Sequence, residues 1–151
     1  MFQRIHRAMK ERDMGFTLIE LLVVIIIIGI LAGIAIPVFF SQRKKAVDKS
    51  VISDVTNASL GLESYYSTNN AYPTTKAQAT AATNADKIVT SQGNTLVITT
   101  DGATGYCISG YDASSNYSVA AAGKVYDSLK GGLQTDGGTC SATYTNTITL
   151  P

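Results

Sequence analysis

The sequence predicts an α+β protein in which one long N-terminal helix, membrane-spanning in its first half and amphipathic in its second, packs against a small antiparallel sheet. Three observations carry that expectation. Residues 21–40 hold no charge. Beyond them, Val47, Val51, Val55, Ala58, Leu62 and Tyr65 or Tyr66 recur at spacings of three and four, the stripe of a helix with one buried face. From Thr95 onward, short β-branched segments alternate with glycine-bearing turns, as in hairpin-linked strands.

A chain of 151 residues is long enough for one domain with a modest core. Its net charge of +1 conceals a polarity. Residues 1–14 carry Arg4, Arg7, Lys10 and Arg12 against Glu11 and Asp13. Beyond Ala46, Lys49, Lys76, Lys87, Lys124 and Lys130 face Asp48, Asp54, Glu63, Asp86, Asp101, Asp112, Asp127 and Asp136. An acidic outer part without clustered bases offers no electrostatic footprint for nucleic acid.

The apolar run admits three readings. A secretory signal has an apolar stretch of about 7–15 residues before a small-residue cleavage site; Leu21–Phe40 is too long, and Pro37-Val38-Phe39-Phe40 is a poor exit. A plain anchor fits, since about twenty apolar residues match a bilayer core of about 30 Å. The third reading keeps the span and adds a cut between Gly15 and Phe16. It alone gives Glu20 a use. A carboxylate inside a span costs roughly 2.5–3.5 kcal/mol at the helix centre, and no Lys or Arg lies in the run. Cleavage after Gly15 creates a positive α-amino group on Phe16, about one helical turn from Glu20. Flanking charge does not set the orientation, because Arg43, Lys44, Lys45 and Lys49 balance the leader's four basic residues.

The helix is expected from Phe16 to about Tyr66, on the order of 75 Å at 1.5 Å per residue, with Lys49, Asp54 and Glu63 mostly off its buried stripe. Pro37 lacks an N–H, which predicts a kink or local melting near Gly33–Pro37. Gly29 and Gly33 have the spacing of a small-residue helix contact, or are glycines tolerated in a lipid-facing helix. Asn69-Asn70-Ala71-Tyr72-Pro73 ends the helix, and Ser67–Asp86 reads as a loop. Thr95–Thr100 and Gly105–Tyr111 flank the turn signature Asp101-Gly102. Tyr117–Ala121 and Lys124–Asp127 are expected to form a second hairpin around Ala122-Gly123, and Ser141–Thr149 a last strand.

Little in the chain points to catalysis. The single histidine, His6, lies in the segment expected to be removed, so Ser-His-Asp, Cys-His and His-based zinc sites are closed to the outer domain. No Gly-rich phosphate loop joins a strand to a helix, and no cofactor is expected. Asp136-Gly137-Gly138 is a weak calcium signal. Cys107 and Cys140 either stay free thiols or, if exported, form a bridge; closing that loop contributes about 3–4 kcal/mol. The eight tyrosines are expected to pack their rings between sheet and helix while their hydroxyls reach water.

Gly15-Phe16-Thr17-Leu18-Ile19-Glu20-Leu21-Leu22-Val23-Val24, continued by Ile25–Gly33 and Ala35-Ile36-Pro37, resembles the N-terminal segment of type IV pilins and pseudopilins. The likeness covers about the first quarter of the chain; Tyr65-Tyr66 followed by Tyr72-Pro73-Thr74 is a weaker similarity to the helix-to-loop transition of many members. The resemblance implies a pilin-like fold divided into a cleaved leader (1–15), a membrane and filament-core helix (16–40) and a soluble domain (41–151) that includes the rest of the helix. It implies cleavage between Gly15 and Phe16 by a membrane-bound prepilin peptidase and N-methylation of Phe16. It further implies polymerisation with other copies by an inner-membrane assembly platform and its ATPase motor, Glu20 neutralising the Phe16 amine of a neighbouring subunit. Melting around Gly33–Pro37 on assembly belongs to the same analogy. The Cys107–Cys140 pair need not match the disulfide-bounded loop of well-known pilins; it would staple the tail to the sheet. The resemblance also implies that lipid surrounds the single-pass helix in the cytoplasmic membrane before assembly and that a surface pilus holds it afterwards. The rivals are a pseudopilin of a type II secretion or competence apparatus, a membrane-anchored binding module and, more distantly, an anchored enzyme.

Overall fold

The computed structural model describes residues 15–81, 87–141 and 144–151; the leader residues 1–14 lie outside them, as does the end of the expected Ser67–Asp86 loop. The chain divides into two units, one ending at Ser41 and the other running from Gln42 to Pro151. A single helix, α1 (Leu18–Asn69), contributes to both.

In the first unit α1 is long and apolar enough to cross a membrane. From Gly15 to Ser41 every side chain is exposed except the half-buried Ala32. The helix continues unbroken through Gly33 and Pro37. Its other end is set by Asn70, which takes a left-handed φ of 51° and closes the last turn with its N–H on the Tyr66 carbonyl (2.8 Å), as a C-terminal cap requires.

The second unit places the remainder of α1 on a five-stranded antiparallel sheet. Its strands are β1 (Thr95–Thr100), β2 (Tyr106–Tyr111), β3 (Lys124–Asp127), β4 (Gly132–Leu133) and β5 (Asn146–Leu150), in the order β4-β3-β2-β1-β5. Val51, Val55, Ala58 and Leu62 from the expected helical stripe are buried against Leu96, Ile98, Tyr106, Ile108, Ile148 and Leu150. The closest approach is at Gly110, where an added Cβ would stand 2.4 Å from a Val55 methyl and 3.1 Å from one of Val51. The missing side chain therefore sets how near the helix can come to the sheet.

Several local expectations need correction. Residues 76–81 are a short helix, α2 (Lys76–Ala81), rather than loop. The Thr75 hydroxyl accepts from the Gln78 N–H (3.3 Å), and the Gln78 side chain accepts from the Thr74 and Thr75 N–H groups (2.9 and 3.1 Å). That reciprocal cap needs no apolar periodicity. The β1–β2 connection spans residues 101–105, since Thr100 pairs with Tyr106. Asp101 Oδ1 accepts from the N–H groups of Ala103, Thr104 and Gly105, and the Thr104 hydroxyl donates to Oδ2. Tyr117–Ala121 is not a strand: Ala120–Ala122 forms a 3₁₀ turn held over β2 by Ser109 Oγ donating to the Ala120 carbonyl (2.8 Å). Strand β3 therefore pairs with β2 and with the two-residue β4 that the glycines at 131–132 had concealed.

Candidate functional site

The first turn of α1 is built around Thr17 and Glu20. Helix N-termini leave N–H groups without intrahelical acceptors. Here the Glu20 carboxylate reaches back so that Oε2 accepts from both the Thr17 N–H and the Thr17 hydroxyl, each at 2.8 Å. The Thr17 oxygen in turn accepts from the Glu20 N–H at 3.3 Å. This is a capping box, with threonine before the helix and glutamate three residues on. With no Lys or Arg in the run, the partner that Glu20 has is the neutral Thr17. Thr17 supplies hydrogen bonds but no opposing charge, and the neighbouring Leu18, Ile19, Leu21 and Leu22 are exposed. Phe16 is 91% exposed and directly precedes the capping threonine. Cleavage before it would place the new ammonium next to a ready-made acceptor.

The second unit meets the demands of its buried acids internally. Asp54, expected mostly off the helical stripe, is buried. It accepts from the Ser91 N–H (2.7 Å), the Ser91 hydroxyl (2.9 Å) and the Asn94 amide (2.7 Å), tying α1 to the segment before β1. Asp127 is fully buried at the end of β3. It accepts from the N–H groups of Leu129 (3.0 Å) and Ser141 (2.8 Å) and from the hydroxyls of Ser141 and Tyr144, both at 2.9 Å. Burial pushes its pKa up, but those four donors outweigh burial and hold it below the usual carboxylate range.

Asp127 lies opposite Cys107 in the β2–β3 register, and Ser141 follows Cys140. The carboxylate and the Cys107–Cys140 disulfide (Cα–Cα 5.6 Å) therefore fasten the same piece of tail to the sheet. Tyrosine rings pack into the core as expected, among them Tyr72, Tyr106 and Tyr117, but a hydroxyl departs from expectation. Tyr66, Tyr72, Tyr106 and Tyr126 form a row with successive ring centroids 4.6, 5.0 and 5.9 Å apart, and the Tyr106 hydroxyl, instead of reaching water, donates to the Ser59 carbonyl (3.4 Å). Asp136 accepts from Lys124 Nζ (2.8 Å) and the Tyr117 hydroxyl (3.0 Å), so the oxygen considered for calcium is held by an ammonium. Among the described residues no three His, Cys, Asp or Glu side chains gather as a metal would need.

Residues 15–36 match the prokaryotic N-terminal methylation motif. That N-terminal segment is similar to those of type IV pilins and pseudopilins. That motif encloses the Thr17–Glu20 cap, Gly29 and Gly33, and it stops one residue before Pro37. Similarity to curated proteins covers longer stretches. The type II secretion system core protein G of Aeromonas hydrophila is 42% identical over 67 residues, covering 44% of this chain and 47% of that protein. The corresponding protein of Escherichia coli K12 is 38% identical over 65 residues (43% and 45%). The type IV wide pilus major component PilA4 of Thermus thermophilus is 46% identical over 63 residues (42% and 48%). The chain thus matches about half the length of these curated relatives. Proteins of these families are structural subunits.

Proposed function

We propose that this protein is a structural, non-enzymatic subunit of a type IV pilus. It enters the cytoplasmic membrane as a prepilin, is cut between Gly15 and Phe16 by a prepilin peptidase, and is N-methylated on Phe16. An assembly platform and its ATPase motor then polymerise it through α1 into a surface filament. The observation that carries this reading is the methylation motif at residues 15–36 with Glu20 inside it. In a filament core two unpaired charges are far worse than one pair, and removing one partner of a buried pair costs about 3–5 kcal/mol. Glu20 would then accept from the Phe16 ammonium of a neighbouring subunit. Gly33–Pro37, helical in the isolated chain, is the segment proposed to melt on assembly, because Pro37 contributes no N–H to hold it.

The pseudopilin reading is favoured by the identity to core protein G of several secretion systems. It uses the same cleavage, methylation and charge pair in a shorter filament. The deciding experiment has two parts. Intact mass of the mature protein should correspond to a chain starting at Phe16 with one added methyl group; a mature chain still beginning at Met1 refutes both readings. Electron microscopy of cells with and without the protein then separates them: abundant extracellular fibres made of this chain identify a pilus, whereas a secretion defect without fibres identifies a pseudopilin.

A further inference from the structure

Just past the apolar run, α1 carries Arg43, Lys44, Lys45 and Lys49, all exposed. At 100° per residue these four positions ring most of the helix. Both salt bridges among the described residues belong to other lysines, Lys124 and Lys130. The one carboxylate within helical reach is Asp48, four residues after Lys44 and three after Lys45, the spacing at which ion pairs form. It is already committed: its two oxygens accept from the Asn116 N–H (2.8 Å) and the Asn116 amide (2.6 Å). Among the described residues no salt bridge takes up any of the four cations, and Asp48 is oriented toward Asn116, leaving the four exposed.

Arg43 also forms one wall of an open groove of about 380 Å³, together with Ser50, Gln92, Asn94, Asp112 and Ser114. Asp112 Oδ1 accepts from the Ser114 N–H (2.6 Å). Its Oδ2 stands where a side chain at residue 93 would be and is spared by Gly93, whose φ is 93°. Among the described residues no donor engages that second oxygen.

We propose that this collar and groove form a headgroup site for an anionic glycerophospholipid whose phosphate carries a further hydroxylated group, as in phosphatidylglycerol. Counting 1.5 Å per residue from Phe40, Arg43 to Lys45 fall about 4–8 Å beyond the apolar run, which is the depth of the headgroup layer. Lys49 lies about 13 Å out and reaches back along its alkyl stem. Arg43 and the lysines take the phosphate. Asp112 Oδ2 accepts a hydroxyl of the terminal glycerol and disfavours a bare phosphate. With the leader on the cytoplasmic side, these cations stand on the translocated flank, where basic residues are otherwise depleted; a lipid partner accounts for keeping them.

The proposal rests on residues 16–40 spanning a membrane. The full chain, purified in neutral detergent, is titrated with phosphatidylglycerol, phosphatidylcholine or phosphatidic acid of identical acyl chains, and retained lipid is counted by native mass spectrometry. Phosphatidylglycerol should be retained at concentrations at least about tenfold below phosphatidylcholine, given about fivefold per basic residue at a membrane surface. Lys44→Gln/Lys45→Gln/Lys49→Gln should abolish that preference, Lys76→Gln/Lys87→Gln should keep it, and Asp112→Asn should erase the distinction between phosphatidylglycerol and phosphatidic acid. Equal retention of phosphatidylglycerol and phosphatidylcholine, or an unchanged triple variant, overturns the proposal. So does displacement of the lipid by millimolar inorganic phosphate, which reassigns the site to a free anion. Filament loss in the triple variant with unchanged lipid retention reassigns the collar to carboxylates of a second copy. Carbonate extraction of membranes separates the two levels: a chain that stays in the pellet without lipid preference refutes only the headgroup site, and a chain released into the supernatant refutes the membrane reading with it.

Discussion

Glu20 and Asp127 are both acids with several donors around them, yet they sit in opposite circumstances. Glu20 is served by a single residue three positions away, on a helix turn whose apolar side chains are exposed. Asp127 is served by residues two, fourteen and seventeen positions away, inside a finished core. One acid is complete within its own chain. The other has neutral donors alone, whereas Asp127 also has the Lys130 ammonium 4.0 Å from its Oδ2. A polar group finished by the fold stabilises a subunit, whereas one left with charge to spare is available to an assembly.

The sharpest break of this comparison is Glu20→Ala. It should reduce filament yield by more than tenfold, read by electron microscopy of the sheared fraction, while the melting temperature of the detergent-solubilised subunit stays within about 1 °C. Filaments at normal yield would show that the acid has no assembly role. Reduction of Cys107–Cys140 ranks next and acts in the opposite region. It should lower stability by about 3–4 kcal/mol, seen as a lower urea midpoint with dithiothreitol, and an unchanged midpoint would mean that the bridge constrains nothing.

Asp127→Asn should cost about 2–3 kcal/mol, because the substituted amide cannot accept from all four donors. This acid also predicts a pH dependence. Its folded pKa, like that of Asp101, lies below the unfolded value of about 3.9. Their contribution is therefore present above about pH 4 and is lost as pH falls through the depressed folded values; Asp127→Asn should flatten that acid limb. At the other extreme, burial raises Tyr72 and Tyr144 to about 12. Their neutral forms are favoured by the fold, so stability is complete below the unfolded value of about 10 and falls as pH climbs from about 10 to 12. The smallest effect is Thr75→Ala. Loss of that cap should cost about 0.5–1 kcal/mol, with α2 amides exchanging faster by hydrogen–deuterium exchange while the sheet is unaffected.

How much of this was legible in the residues depended on the sequence distance over which the determining interaction acts. The long helix was written in spacing alone: the expected span of Phe16 to about Tyr66 became Leu18–Asn69, and Val51, Val55, Ala58 and Leu62 face the core as their periodicity requires. Strand β1 kept its expected bounds, since alternation and a following turn are local signals. The short helix at Lys76–Ala81 was also local, but its mark was the Thr75-to-Gln78 cap rather than an apolar pattern. Asp54 and Asp127 could not be read this way. Asp54 takes its donors from residues 37 and 40 positions away, and no window along the chain reveals that a carboxylate will be buried with partners so remote. Tyr117–Ala121 failed as a strand for a similar reason, because Ser109 on a different strand captures its backbone. At the candidate site, Gly15, Phe16 and Glu20 stood out through one misplaced charge, and the Thr17–Glu20 cap was equally available in the same four residues.

The stacked tyrosine row has a practical consequence for watching this subunit. The chain has no tryptophan and eight tyrosines, so phenol rings are the main aromatic contribution to its near-ultraviolet circular dichroism, beside the Cys107–Cys140 disulfide. Tyr66 lies on the helix, Tyr72 on the connection after it, and Tyr106 and Tyr126 on two strands. Coupling between those chromophores is an intrinsic optical signature, obtained without dyes, of whether helix, connection and sheet are assembled together.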